Sequence, residues 1–342
     1  MKNKLFFKIC LIWSILAFFL MGAYATGSAE DVGSFYKGKV VRLIVPFSPG
    51  GGYDTYARFL ANAMEKYMDC TVIVINKPGG GGFVAINYMY ESARKDGLTI
   101  AMAPEGLPLA QLMGTTGVRF DCRKFGWIGS INQDVRFLSV AVDSPYKSVD
   151  DLKKLKRPKA ATVSVASTAG PSLMVAIEAL KMDNAKIVAG YPGSVETIIA
   201  VKRGEADFCL RATHHLLVKN SLLRPIVAVN EKRVPEFSNI PAITEYDIEP
   251  GAQRMMQIIF SGKPSERSLI TPPGVSVEKI SFLRKMVQTC FSDPELVKKS
   301  KKAMLLVNPV TGKEAEASIK KMFKVSPKDI EKLKYIIFKK YL

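Results

Sequence analysis

The strongest constraint on the fold is a regular alternation of apolar runs with helical periodicity that begins at Val40. Val40–Val45 (VVRLIV), residues 71–75 (TVIVI) and residues 98–102 read as buried strands. Between them, apolar side chains of residues 56–67 recur on one face of a predicted helix, and residues 83–93 form another. Strands that alternate with helices pair in parallel through right-handed crossovers, so this part of the sequence predicts an α/β sheet.

Each of the first two predicted strands runs into a glycine-rich loop that precedes a helix. The loops are residues 48–52 (SPGGG) and residues 78–82 (PGGGG). Glycine lets backbone N–H groups approach a ligand closely, and the start of a helix adds positive partial charge. Because open α/β sheets bind ligands at the carboxyl ends of their strands, we expect a carboxylate or phosphate here. Glycines that serve only as tight turns are the alternative.

The same alternation restarts in the middle of the chain and indicates a second α/β unit. A loop with serine and threonine (residues 167–172) and another glycine loop (residues 190–194) precede helices in this unit. The last third is mainly helical. Strands are predicted at residues 138–142, 162–165, 185–188, 206–210 and 224–229, and later helices at Val277–Phe291, 312–323 and 327–341.

The length of the chain also calls for two hydrophobic cores. Without its first 25 residues, the 342-residue chain keeps 317, which is more than one core usually serves. We predict that residues 26–133 together with 251–342 form lobe 1, and that residues 134–250 form lobe 2. A chain that leaves a lobe and returns makes a hinge of at least two strands, which suits closure around a ligand.

Residues 1–25 have the pattern of a secretory signal peptide. Lys2, Lys4 and Lys8 precede an apolar run over residues 9–21, and Ala23-Tyr24-Ala25 places small residues where a signal peptidase reads. The run is shorter than the roughly 20 residues of a membrane-spanning helix. We therefore expect a periplasmic or other extracytoplasmic protein, with an uncleaved N-terminal anchor as the alternative.

The charge balance is strongly basic but does not indicate nucleic acid. The formal net charge is +18, and removing the three lysines of the predicted signal peptide leaves +15. The lysines are spread over amphipathic segments and form no basic stripe interleaved with aromatic residues, so most belong to solvated helix faces. Export also disfavours DNA or RNA as a partner.

Cysteine and histidine usage favours neither a metal centre nor a catalytic triad. Four cysteines follow the signal peptide, with no CxxC pair; they allow three disulfide pairings, although buried free thiols are the interpretation we favour. His214 and His215 are adjacent, so they point in different directions and are poorly placed to share a metal. With no other histidine, a Ser-His-Asp triad is not credible without one of them. The cysteines are Cys70, Cys122, Cys209 and Cys290.

A dinucleotide site is a weaker alternative at the second glycine loop. Residues 80–85 (GGGFVA) formally satisfy G-x-G-x-x-A between a strand and a helix, and Glu105 could bind a ribose. However, the neighbouring strand carries an equally glycine-rich loop, and export separates the protein from the nicotinamide pool. We therefore expect no cofactor.

Two aspartates are candidate ligand contacts with a structural alternative. Asp54 lies just inside the first predicted helix, four residues before Arg58, where it can cap the helix and pair with that arginine. Contact with a ligand amine or hydroxyl is the other interpretation of Asp54. Asp207 lies on a strand that we expect to face the cleft.

Several motifs together resemble a known family. Residues 45–58 (VPFSPGGGYDTYAR), 76–82 (NKPGGGG) and 95–102 (KDGLTIAM) are similar to the receptors of tripartite tricarboxylate transporters, the Bug-type solute-binding proteins. The likeness continues through residues 143–152, 190–208 and 272–283, so it covers nearly the whole chain after the signal peptide in the expected order.

This resemblance implies a two-lobed α/β periplasmic-binding-protein (Venus-flytrap) fold, with mainly parallel sheets flanked by helices. It also implies that the first-lobe loops hold a carboxylate, often through waters, and that the receptor delivers its ligand to a membrane permease. Carried onto this sequence, the implied contacts are Ser48, Pro49, Gly50, Gly51, Gly79, Gly80 and Gly81 in the first lobe, and Ser167, Thr168, Tyr191, Gly193 and Ser194 in the second.

The sequence departs from the family at positions that we expect to contact the ligand. Pro192 stands where relatives often have a lysine, and the loop of residues 167–172 lacks their glycine-rich form. Tyr53 and Phe83 put bulky side chains beside the anion loops, where they could contact an aromatic or amino-acid ligand. We expect a small carboxylate or amino-acid-like ligand, permease subunits as partners and a monomeric receptor.

Two other functions fit parts of the pattern. A ligand-sensing subunit of a membrane signalling system would use the same pocket and a different partner. An exported enzyme would need a nucleophile–histidine pair or a metal cluster, and the sequence offers no plausible one.

Overall fold

Two β-sheets with helices around them organise the described part of the chain. The computed structural model describes residues 32–104, 106–165, 169–191, 193–213 and 221–341. The predicted signal peptide lies outside the described residues. Among the residues described, no helix is both long and apolar enough to span a membrane.

Sheet one carries the two glycine loops that follow the first strands. Its strand order is β11-β4-β10-β3-β1-β2. β1 pairs in parallel with β2 and β3, whereas β10 and β11 return antiparallel to their neighbours. The strands are β1 (Val40–Val45), β2 (Thr71–Asn76), β3 (Thr99–Met102), β4 (Gly126–Ser130), β10 (Ser268–Thr271) and β11 (Val310–Thr311).

Sheet two is formed by the middle of the chain, in the order β7-β6-β8-β5-β9. β6 is parallel to β7 and β8, and β5 is antiparallel to β8 and β9. Both sheets are therefore mixed rather than mainly parallel, as the family resemblance had implied. The antiparallel pairs arise because β5 and β10 each enter their sheet directly from the other lobe. The strands are β5 (Arg136–Ala141), β6 (Lys159–Ala161), β7 (Lys186–Val188), β8 (Phe208–Ala212) and β9 (Leu223–Val229).

Helices cover the faces of both sheets, giving the predicted two-lobed α/β architecture. The helices are α1 (Val32–Tyr36), α2 (Gly52–Met68), α3 (Phe83–Glu91), α4 (Leu107–Leu112), α5 (Val149–Lys153), α6 (Gly170–Ala179), α7 (Ser194–Lys202), α8 (Pro250–Ser261), α9 (Val277–Phe291), α10 (Pro294–Lys302), α11 (Gly312–Met322) and α12 (Pro327–Tyr335).

Helix α2 shows how the sequence pattern becomes packing. Tyr56, Leu60 and Met64 lie one turn apart and are each 1% exposed or less. They pack into one core with β1, β2 and residues of α9. Each such side chain contributes roughly 1.5–3 kcal/mol through burial of apolar surface. This packing fixes the start of α2, and with it the first glycine loop, against the end of β1.

The second unit departs from its predicted strands at one point. We expected a strand over residues 162–165, but pairing covers Lys159–Ala161 and then breaks off. Two further backbone hydrogen bonds follow, from the Thr162 N–H to the Val188 carbonyl and from the Gly190 N–H to the Val163 carbonyl, before Gly190 with a φ of 102° ends the extended backbone of the neighbouring segment. Instead, the carbonyl of Ser164 lies so close to Gly170 that a Cβ there would approach it to 1.9 Å.

The chain crosses between the sheets more than once. It leaves sheet one after β4, returns at β10, and later sends its last helix back to the second unit. Helices α8 and α12 share a hydrophobic core with α6, and the hydroxyl of Tyr341 donates to Glu178 of α6 at 2.6 Å. The predicted lobe boundaries, 26–133 with 251–342 and 134–250, remain a prediction.

The prediction of buried free thiols is confirmed. Cys70, Cys122, Cys209 and Cys290 are all buried and unpaired. Burial raises the pKa of each thiol, so all four stay protonated near neutral pH.

Replacing Gly82 by alanine should destabilise the fold more than the same change at Gly114. Both glycines have positive φ, at 97° and 66°. A Cβ at Gly82 would lie 2.6 Å from Cγ of Pro104, whereas one at Gly114 meets nothing within 4 Å. We expect Gly114→Ala to lower the free energy of unfolding by about 1 kcal/mol and Gly82→Ala by about 1–3 kcal/mol more.

Urea denaturation followed by circular dichroism measures both variants. Equal losses would show that Gly82 is needed for its φ alone and that the contact with Pro104 is of no consequence.

Candidate functional site

The two glycine loops lie side by side at one edge of sheet one. Val45 at the end of β1 is in register with Asn76 at the end of β2. Each strand then continues into its loop, residues 48–51 or 78–81, and these loop residues are exposed. Parallel pairing thus brings together the segments that the sequence predicted as one anion site.

The buried side chain of Asp54 holds the first loop in place through hydrogen bonds. Its carboxylate accepts hydrogen bonds from the Gly50 N–H at 2.9 Å and from the Nδ2 of Asn76 at 3.0 Å. The guanidinium of Arg58 binds it through two nitrogens, at 2.9 and 3.0 Å. Asn76 also donates to the carbonyl of Phe47 at 2.9 Å, which ties the first loop to the end of β2.

These contacts have two consequences for a ligand. The predicted pairing of Asp54 with Arg58 is present, and Asp54 is only 3% exposed, so its carboxylate is occupied by the protein. The Gly50 N–H points at Asp54, which leaves the donors of Gly51 and of the first turn of α2 for an incoming anion. Burial alone would raise the pKa of Asp54, but hydrogen bonds from Arg58, Gly50 and Asn76 outweigh it and lower the pKa.

The second loop needs glycine at each of four consecutive positions. Gly79, Gly80, Gly81 and Gly82 all have positive φ, between 57° and 130°. Such a run directs successive peptide groups around a concave surface, a shape that binds anions through backbone N–H groups. Helix α3 begins immediately after it, at Phe83, as the sequence predicted.

The two aromatic candidates lie in different places. Tyr53 packs on Phe47 with ring centroids 4.8 Å apart, and the guanidinium of Arg267 lies 5.4 Å from its ring. Phe83 is 8% exposed and packs edge-to-face on Phe120 in the core beneath α3. Tyr53 therefore borders the space between the lobes. Phe83 instead packs into the core and anchors the end of the second glycine loop.

Four buried charged residues occupy the segments where the chain crosses between the sheets, and we call them the crossing cluster: Asp134, Arg136, Glu266 and Arg267. Arg267 binds Asp134 at 3.0 Å, and Arg136 binds Glu266 at 3.3 Å. Both pairs join the segment that leaves sheet one to the segment that returns to it. Sequence reasoning missed this cluster; its one signal was the position of Asp134 and Arg136 at the predicted lobe boundary.

A small cavity adjoins the cluster between the two units. It is lined by Pro108 and Leu109 of α4, Pro171 and Ser172 of α6, and the carboxylate-bearing Glu266, among others. The first turns of α4 and α6 therefore approach each other across the space that separates the sheets.

The second-lobe candidates lie at the end of sheet two that faces the crossings. Gly193 precedes α7 and Ser194 is its first residue, while Tyr191 packs against the core beneath that helix. Glu196 folds back towards Gly193, since a Cβ on that glycine would lie 2.8 Å from its Oε2. Ser167 and Thr168 lie outside the described residues, as do Glu105, Pro192, His214 and His215.

Asp207 lies at the opposite end of sheet two. It precedes β8, and its carboxylate accepts a hydrogen bond from the backbone N–H of Lys159, at the start of β6, at 2.7 Å. The structure therefore does not bring Asp207 together with the loops. Across the described residues, no group of histidine, cysteine, aspartate and glutamate side chains is arranged to hold a metal ion.

Comparison with known families agrees with this geometry. The model of the tripartite tricarboxylate transporter family receptor, TctC, matches residues 56–327. The chain belongs to this family. The match begins just after the first glycine loop and covers most of both units.

Members of the TctC receptor family are recognisable at low sequence identity. Protein BugT of Bordetella pertussis is 28% identical over 216 residues, which cover 61% of this chain and 52% of BugT. The chain thus spans about half the length of this relative.

Solved structures of related proteins share the fold. The periplasmic binding protein BugD has a TM-score of 0.67 at 21% identity, covering 88% of this chain and 98% of BugD. MatC from Rhodopseudomonas palustris, solved with bound malate, has a TM-score of 0.65 at 16% identity, covering 87% and 99%. A further R. palustris protein, solved with adipate, has a TM-score of 0.68 at 19% identity, covering 87% and 97%.

Replacing Asp54 by asparagine should destabilise the protein at neutral pH. The change weakens the bonds to Arg58 and Gly50, and the loss of charge-assisted hydrogen bonds predicts a decrease of about 1–3 kcal/mol in the free energy of unfolding. Because the fold lowers the pKa of Asp54, its stabilisation is present above the unfolded pKa, near 4, and is lost as pH falls through the folded pKa.

Chemical denaturation at pH 7 and at progressively lower pH tests this. The difference between wild type and D54N should shrink on acidification, and a difference independent of pH would contradict the role assigned to the ionised carboxylate. Asp69→Asn is the matched control, because the carboxylate of Asp69 forms an exposed ion pair with Lys37 and its loss should cost less than about 0.5 kcal/mol.

Proposed function

We propose that this protein is an extracytoplasmic solute-binding receptor that captures a small carboxylated metabolite between its lobes and delivers it to a tripartite tricarboxylate-type membrane permease. The observation that carries the proposal is the pair of exposed glycine loops at the carboxyl ends of β1 and β2. One loop leads directly into α2 and the other into α3. Backbone donors and the positive ends of two helices converge there, which suits a carboxylate.

We infer the contacts from the described loops and, for the residues outside the described part, from the family resemblance. In the first lobe the ligand carboxylate would meet Ser48, Gly51 and the N–H groups of Gly79–Gly81, with Tyr53 at the border of the site. In the second lobe Tyr191, Gly193 and Ser194 would close over the ligand, together with Ser167 and Thr168. Phe83 and Asp54 act here by supporting the loops, and Asp207 lies too far along sheet two to take part.

Related proteins support a small organic acid as the ligand. MatC was solved with malate and another R. palustris neighbour with adipate, both small dicarboxylates. We extend carboxylate binding to this chain because its own two loops present backbone donors at the starts of helices. Binding without turnover, a periplasmic location and a monomeric state belong to the same proposal.

Wild-type protein should bind at least one small carboxylate with micromolar or tighter affinity, about 8 kcal/mol of binding free energy. Gly51→Val should weaken that binding at least tenfold, a loss of about 1.4 kcal/mol, because the new side chain occupies the approach to the loop. Gly51 has a φ of −79°, and a Cβ added there would have the Ser48 carbonyl oxygen as its nearest contact, at 3.8 Å. The fold should therefore tolerate the change.

Isothermal titration calorimetry with di- and tricarboxylates, amino acids and aromatic acids measures this. In the control variant Lys313→Val, the same valine side chain lies at the exposed first turn of α11. This helix follows β11, at the edge of sheet one opposite β2, so the variant should bind like wild type. No binding to any acid would exclude the receptor function, and unchanged binding by G51V would exclude this site.

A further inference from the structure

A buried arginine at the end of β8 is not used by any part of the site described so far. Arg211 is 5% exposed, and its Nε is buried without a hydrogen-bond partner. Within the described segments, no carboxylate lies within ion-pair distance of its guanidinium. Most arginines that become buried are paired, because an uncompensated buried charge is costly.

The position of Arg211 in the sheet places it at the inter-lobe end. It is in register with Phe137, the second residue of β5, where the chain has just entered sheet two. The loops that follow β6 and β7, which carry the second-lobe candidates, leave the sheet at this same end. Asp207, at the start of β8, marks the opposite end.

The face on which Arg211 lies is the one that α7 covers. Phe137 and Cys209 share this face and belong to one core with Val201 of α7 and the ring of Tyr191. Helix α7 packs against β5, β6 and β8, and it begins at Ser194, directly after Gly193. Arg211 is therefore on the same side of the sheet as the glycine loop before α7.

The described neighbours of Arg211 do not neutralise it. On the same face of β8, the thiol of Cys209 is a weak acceptor whose pKa is raised by burial, so it carries no charge near neutral pH. Burial lowers the pKa of Arg211, and Arg136 in the next strand lowers it further, although Arg136 is itself paired with Glu266. Among the described residues the charge of Arg211 therefore has no carboxylate to balance it, and an anion would do so.

We propose that Arg211 binds a second anionic group of the ligand, so that the natural ligand is a dianion such as a short dicarboxylate. One carboxylate binds at the two glycine loops of the first lobe. The other pairs with the guanidinium of Arg211 at the end of sheet two, beside the loop before α7. This inference rests on the proposed receptor function and adds to it the charge of the ligand and the residue that selects for it.

The test compares dicarboxylates with their half-esters. Calorimetric titrations would use malonate, succinate, glutarate, adipate and the monomethyl ester of each, with wild-type protein, Arg211→Met and Arg211→Lys. Wild type should bind its best dicarboxylate at least about 10-fold more tightly than the matching ester, because a charge-assisted pair is lost in the ester. R211M should lose that preference while binding the ester within about twofold of wild type.

Matched controls separate selectivity from folding. Arg224→Met removes a half-buried guanidinium that donates to backbone carbonyls at the other end of sheet two, and it should keep the wild-type preference. R211K retains the charge without a planar fork and should show an intermediate preference. If R211M does not fold, the preference of R211K for dicarboxylates over their half-esters is compared with that of wild type instead.

The outcomes distinguish the two proposals. If wild type binds the acids and their half-esters equally, or if R211M or R211K keeps the full preference, the role of Arg211 is excluded and the receptor function stands. If wild type binds no carboxylate of either kind, the receptor function is excluded and the dianion site with it.

Discussion

The parallel pairing of β1 with β2 is the constraint on which the rest of this structure depends. It brings two chain segments that lie thirty residues apart in sequence to one edge of one sheet. Asp54 and Asn76 then lock the segments together through hydrogen bonds to Gly50 and to the carbonyl of Phe47. The first loop can expose backbone N–H groups to a ligand because the side chains of Asp54 and Asn76 hold it in place.

The crossing cluster solves a second problem, which is how two lobes joined by single strands keep a defined relation. Asp134 and Arg136 enter the second unit, Glu266 and Arg267 leave it, and the two ion pairs bind entry to exit. Removing one partner of a buried pair leaves an uncompensated charge and typically costs 3–5 kcal/mol. Such a cluster makes the crossing specific, and the aromatic rings of Tyr53 and Tyr56 cover Arg267 on the first-lobe side.

The sequence predicted the strands and helices of the first unit well. Their apolar residues recur with the spacing of a strand or of a helix, and glycines mark where the elements end. Helix α9 begins and ends at the predicted residues, and α3 begins at Phe83. The strand expected at residues 162–165 failed because apolar β-branched residues indicate a strand only where a neighbour is available to pair with them. That neighbour, the segment that continues β7, pairs only as far as Val163 before Gly190 adopts a positive φ, and no pattern within residues 162–165 reveals this.

The candidate site was predictable only in its backbone part. Glycine runs after strands indicate an anion site by chemistry alone, whereas the places of Phe83 and Asp207 depend on which face and which end of a sheet each residue occupies. The partners of Asp134 and Arg136 are Arg267 and Glu266, which lie about 130 residues further along the chain, so spacing gave no signal for them.

Amide hydrogen exchange, with and without a bound dicarboxylate, tests the central claim that the two glycine loops hold the ligand. The account predicts slower exchange at residues 51–54 and 79–83, where backbone N–H groups would bind the carboxylate, with smaller changes elsewhere in sheet one. Binding that left exchange at both loops unchanged would contradict it.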